Sequence, residues 1–224
     1  MQFRRFAVYH LPDGELGDFG AAWLGWDLRS GMAVAHPEGL DEAARNATAT
    51  PRRYGFHATL KAPFRLAQGR ELSELALALR MICDRLAPFA LDLVPSRDWG
   101  FAALRPGQQP PELVALESSV VTRLDEFRAP LTPQEYDRRR PEALPAQARK
   151  HLDHWGYPFV LDLFSYHLTL SDGMDARAAG AVLDLLSPRL SPLIAAPMRV
   201  NAAALVGEDE AGFFHLIEEF PLRG

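Results

Sequence analysis

One tetrapeptide pattern occurs twice: His57-Ala58-Thr59-Leu60 and His167-Leu168-Thr169-Leu170. The two lie 110 residues apart in a chain of 224, one in each half. Chance matches to His-x-Ser/Thr-apolar in a chain of this composition number about 0.2, and two arise in about 2% of such chains. The pair is therefore a signal, and it constrains the fold: the chain must build two similar strands and bring them to one place. In a strand, residues i and i+2 share a face, about 6.6–6.8 Å apart. His57 and Thr59 then look one way, while Phe56, Ala58 and Leu60 look into a core. His167 and Thr169 do the same against Tyr166, Leu168 and Leu170.

Periodicity around the motifs repeats as well. The first half reads as a strand over 3–10, a helix over 16–26, a mostly loop-like stretch over 29–53, and a strand over 56–64 broken near Pro63. A helix over 72–86, short strands over 91–94 and 101–104, and a helix over 113–127 follow. The second half reads as a strand over 164–170, a helix over 176–186, and strands over 198–206 and 213–220 joined by a turn. Between them, residues 128–158 are rich in charge and poor in large apolar residues. This segment opens with a capping box, Thr132-Pro133-Gln134-Glu135, and reads as a partly helical insertion. Residues 1–224 are expected to form a single bilobal domain, with halves of roughly 1–127 and 159–224. Interleaved strands and helices ending in a hairpin favour an α+β fold with helices on the outer faces of the sheets.

Composition narrows the function. With 48% hydrophobic and 24% charged residues, the chain is that of a globular protein with a real core. A net charge of -5 argues against broad binding to duplex nucleic acid, and leaves room for a small phosphorylated substrate. The single cysteine, Cys83, rules out an intramolecular disulfide and reads as a buried apolar thiol. The N-terminal residues lack the pattern of a secretory signal, and no run is long and apolar enough to span a bilayer. No membrane partner is expected, and the cytoplasm is the expected location. Oligomeric state has no signature in the sequence.

The chemistry follows from the residue types. A threonine hydroxyl donates to a non-bridging phosphate oxygen, and an imidazole beside it moves a proton. Two facing His-Thr pairs would grip one phosphate, one histidine taking a proton from water and the other giving one to the leaving alkoxide. Catalytic residues are thus expected at His57, Thr59, His167 and Thr169, with no metal and no cofactor. Neither motif supplies a carboxylate or thiolate on the same face to complete a zinc site. Lys61 shares the parity of His57 and Thr59 if the strand stays regular, so it is a substrate-binding candidate or an exposed strand end. Tyr54 is a second candidate, for stacking on a base or ribose, or else a core aromatic.

The paired His-x-Thr-apolar motifs resemble those of the two-histidine (2H) phosphoesterase superfamily. The resemblance implies a bilobal α+β fold with pseudo-two-fold symmetry and a central cleft lined by the motifs. The stretch from Arg52 through His57-Ala58-Thr59-Leu60-Lys61 to Phe64, with Phe127-Arg128-Ala129-Pro130-Leu131-Thr132 and His154-Trp155-Gly156-Tyr157-Pro158, is similar to the branch found in bacterial phosphonate-utilisation operons. That likeness implies a metal-independent phosphodiesterase acting on a cyclic phosphate of a ribose-type metabolite. RNA-end processing, on 2′,3′-cyclic phosphates or 2′,5′ linkages, and non-catalytic binding of a phosphometabolite are the alternatives.

Overall fold

A computed structural model describes residues 2–224. Met1, where the expected 1–224 domain begins, lies outside the described residues. The chain runs β1 (Arg5–His10), α1 (Gly14–Leu24), α2 (Asp41–Ala47), β2 (Ala58–Phe64), α3 (Leu72–Cys83), β3 (Phe89–Leu91), β4 (Leu93–Ser96), β5 (Ala103–Pro106) and α4 (Pro111–Arg123). It continues through α5 (Pro133–Asp137), α6 (Ala146–Trp155), β6 (Leu168–Thr169), α7 (Ala176–Leu193), β7 (Met198–Val200), β8 (Ala202–Glu208) and β9 (Phe214–Pro221).

Local sequence explains the helices. In α3, Leu75, Leu79, Ile82 and Cys83 recur at helical spacing and are buried. Its start is closed by a capping box between Glu71 and Glu74, which meets two otherwise unbonded N–H groups. α1 stops at Gly25, whose φ of 74° suits glycine and lets its N–H return to the helix carbonyls. Helix α2 falls in the stretch expected to be loop. Only Ala44 and Ala47 of it are buried, so it has no stripe of large apolar residues to announce it. Helices α5 and α6 occupy the expected insertion, and the Thr132–Glu135 capping box forms as expected.

All strand pairings are antiparallel. The largest sheet has the order β2-β1-β8-β9, a second has β4-β5-β6, and β3 pairs with β7 alone. Sheets and sequence halves do not coincide. The C-terminal hairpin β8–β9 joins β1 and β2, while β6 joins β4 and β5 from the first half. β2 is an edge strand, which accommodates Pro63 because one side of the strand needs no N–H donor. The expected strand over 164–170 shrinks to Leu168–Thr169. Ahead of it, the Gln109 side chain bonds Phe164 O and Tyr166 N, taking the place of a partner strand.

Candidate active site

Strand parity sets the site. Phe56, Ala58, Leu60, Tyr166, Leu168 and Leu170 are all buried. Their neighbours His57, Thr59, His167 and Thr169 line one cleft of about 370 Å³. The two histidines are held alike. His57 Nδ1 lies 2.9 Å from Gly55 O, and His167 Nδ1 lies 2.8 Å from Ser165 O. Each carbonyl is two residues upstream and can only accept, so Nδ1 carries the proton and Nε2 is left with its lone pair. His57 Nε2 is 3.1 Å from Thr59 Oγ1.

Both rings are braced by aromatics. Tyr9 lies opposite Thr59 in the β1–β2 register and therefore shares its face. Its ring stacks on His57 at 3.7 Å. Trp99 packs edge-on against His167 at 5.4 Å, and Phe101 lies at 5.5 Å. This surrounding shapes the electrostatics. Burial lowers His57 to about 4, partly opposed by the Gly55 carbonyl and assisted by the nearby His167. Burial also lowers His167 below the ordinary histidine value, with the Ser165 carbonyl opposing. Both imidazoles are therefore neutral at pH 7 in the open cleft, whereas unperturbed histidines would titrate close by.

Tyr54 lines the same cleft and stacks on Phe214 at 5.3 Å. Lys61 does not reach the cleft, and the expectation of a phosphate-binding lysine is corrected here. Tyr9 pairs with Thr59 but Val8 pairs with Lys61, so β2 carries one extra residue between them. That bulge reverses the alternation and sends Lys61 inward, where it is 4% exposed. Its Nζ bonds Val121 O at 3.0 Å and lies 3.4 Å from Asp125 Oδ1.

The structure adds residues that the motifs did not announce. Arg5, Arg139, Tyr157 and Asp172 also line the cleft. An adjoining cavity of about 430 Å³ shares Thr59 and His167 with it and is walled by Trp99, Phe101, Tyr157, Phe159 and Phe164. The carboxyl of Glu117 lies in that wall, with Oε1 accepting from Leu161 N–H at 3.0 Å. Tyr9 had a signal in its β1 parity, but only the register with β2 shows which strand it faces. Among the described residues no three His, Cys, Asp or Glu side chains converge as a metal-binding group. Nor is any helix among them long and apolar enough to cross a membrane.

This chain has the expected α+β fold and brings both motifs into one cleft. Over the full length of both chains it shares the fold of E. coli LigT, solved with 3′-AMP, at a TM-score of 0.51 and 14% identity. The chain belongs to the family described as "Protein of unknown function (DUF1045)", matched over residues 59–215. It is 33% identical over 210 residues to ribose 1,5-bisphosphate phosphokinase PhnN of Laribacter hongkongensis (strain HLHK9), covering 93% of this chain and 49% of that protein. Identity to the protein of the same name from Janthinobacterium sp. (strain Marseille) is 33% over 218 residues, covering 93% and 48%. The chain thus spans about half the length of these curated relatives.

Proposed function

We propose that this protein is a metal-independent phosphoesterase that opens a cyclic phosphodiester on a small ribose-type metabolite, in the setting of phosphonate metabolism. The observation that carries the reading is the matched pair of imidazoles in one cleft, each fixed through Nδ1 and each with a threonine two residues on. In the reaction, one neutral Nε2 takes a proton as water attacks phosphorus. The other imidazole, protonated when the anionic substrate binds, gives its proton to the departing ribose oxygen. Thr59 and Thr169 donate to the non-bridging oxygens. One P–O bond forms, one breaks, and a phosphomonoester remains.

The relatives' name supports a ribose phosphate as the substrate class. The kinase chemistry in that name is not carried over to this chain, which spans about half the length of those proteins. The present sequence contains no G-x-x-x-x-G-K-[ST] run to cradle a nucleotide's phosphates. A second reading, a nucleoside or RNA end bearing a 2′,3′-cyclic phosphate, draws support from the aromatic cavity beside His167, which suits a planar ring.

The test is turnover of a panel of ribose and nucleoside cyclic phosphates in the presence of EDTA. His57→Ala and His167→Ala should each lower kcat by about 10²–10⁴-fold. Near-native turnover in either variant would sink the two-histidine scheme, and activity lost to EDTA but restored by zinc would replace it with a metal site. Preference among panel members separates the two substrate readings. Binding without turnover by the wild type would mark a phosphometabolite-binding protein.

A further inference from the structure

We infer that Arg139, packed on Tyr157, forms a second anion subsite in the cleft, so that the favoured ligand carries a phosphate group besides the one held by the two histidines. This rests on reading the cleft as a phosphate site. The charge distribution leads to it. Two arginines line the cleft. Arg5 is committed elsewhere, its Nε and Nη2 both bonded to the Glu208 carboxylate. Asp172, the acidic group of the cleft, turns its oxygens to the N–H groups of Ala49 and Thr50. Arg139 has no carboxylate partner among the described residues. Its guanidinium instead lies over the Tyr157 ring, 4.8 Å from the centroid. Stacking occupies the face of the guanidinium and leaves its in-plane N–H fork open, the geometry that suits a terminal phosphate.

The placement separates this group from the reacting phosphate. The threonines come from β2 and β6 and the histidines from the residue just before each strand, whereas Arg139 and Tyr157 both come from the insertion over 128–158. That segment is firmly held. Thr132 and Glu135 cap α5 reciprocally, and the Glu135 carboxylate takes two bonds from Arg65 just past the end of β2. The Tyr136 hydroxyl donates to Asp153 at 2.7 Å, joining α5 to α6. The Arg139 N–H bonds Tyr136 O at 2.9 Å. The cation is thus presented from a braced turn rather than from a free arm, which lowers the ordering cost of holding an anion there. Since both histidines are neutral in the open cleft, Arg139 is also its uncompensated positive charge.

The experiment is calorimetric binding of ribulose 1,5-bisphosphate and ribulose 5-phosphate to the full chain. Wild type should favour the bisphosphate by roughly 10–100-fold, the value of a charge-assisted hydrogen-bond pair. Arg139→Met should bring the two affinities within about 3-fold of each other, and Arg139→Lys should recover part of the preference. Arg138→Met, at an exposed neighbour outside the cleft, should keep the wild-type ratio. The His57→Ala/His167→Ala double variant should keep it too, because the second subsite does not depend on the imidazoles. Equal affinity of the wild type for both probes, or a ratio that survives Arg139→Met, overturns the inference. A collapsed ratio in Arg139→Met alongside a protein that turns over no cyclic phosphate would uphold the subsite and reject the proposed activity.

Discussion

At the scale of single residues, the arrangement turns two ordinary histidines into a matched pair of low-pKa groups. The carbonyls of Gly55 and Ser165 fix the tautomer, while aromatic packing withdraws the rings from water. Desolvation wins over the carbonyl bonds, which favour the charged form. The sign of the pH effect follows. A general base works above its pKa and a general acid below its own. With His57 at about 4 and His167 also below 6.5 in the free protein, kcat/KM should peak on the acid side of 6.5. An anionic phosphate in the cleft raises both pKa values, so the kcat profile should be displaced toward higher pH than the kcat/KM profile. Parallel pH series of both parameters on one cyclic phosphate check this. A kcat/KM optimum above pH 8 would contradict the burial account.

At the scale of elements, what the sequence discloses depends on how local the cause is. Alternation over Phe56–Leu60 and Tyr166–Leu170 is a property of the extended chain itself, so the four motif residues are legible without any partner. The Thr132–Glu135 capping box is equally local and appears as written. Lys61 is not legible, because the bulge that turns it inward exists only in the register between β1 and β2. Helix α2 lacks a large apolar stripe, and β6 is cut short by the Gln109 side chain from a distant loop. Arg139 lies in the run Arg138-Arg139-Arg140, which reads either as a solvated face or as a lid that recruits an anion, and only the folded insertion brings it to the cleft. The bulge has a testable consequence. Lys61→Met should leave kcat and KM within about 3-fold of wild type, since the ammonium lies under α4 rather than in the cleft. It should lower stability by on the order of 1–3 kcal/mol, by orphaning the Val121 carbonyl while Asp125 keeps its bonds to Arg128. Steady-state kinetics beside thermal melts would show it, and a large rise in KM would return Lys61 to the substrate.

At the scale of the whole molecule, the two motifs meet because the halves exchange strands and are cross-tied. His10 at the end of β1 bonds the Tyr166 hydroxyl at 2.7 Å, and Trp23 of α1 donates to Leu170 O at 2.7 Å. Glu117 makes a third tie. From α4, beside β2, its Oε1 holds the N–H of Leu161, a non-glycine residue at φ 57° on the approach to His167. Among the described residues the second oxygen of this carboxyl is buried without a hydrogen-bond partner. Burial pushes Glu117 up to about 7 from 4.5, against the opposing Leu161 N–H and Lys61. The folded chain therefore keeps a proton that the unfolded chain releases near 4.5. Stability from this group is complete below the unfolded value and is lost as pH rises through about 7. Glutamine keeps an acceptor for Leu161 and is neutral throughout. Glu117→Gln should therefore gain on the wild type by up to about 3 kcal/mol at pH 8 relative to the comparison at pH 5. Denaturant titrations of both proteins at the two pH values measure that difference. A gap between variant and wild type that does not change with pH would mean that the carboxyl is already ionised in the fold, with Lys61 of β2 as its counter-charge.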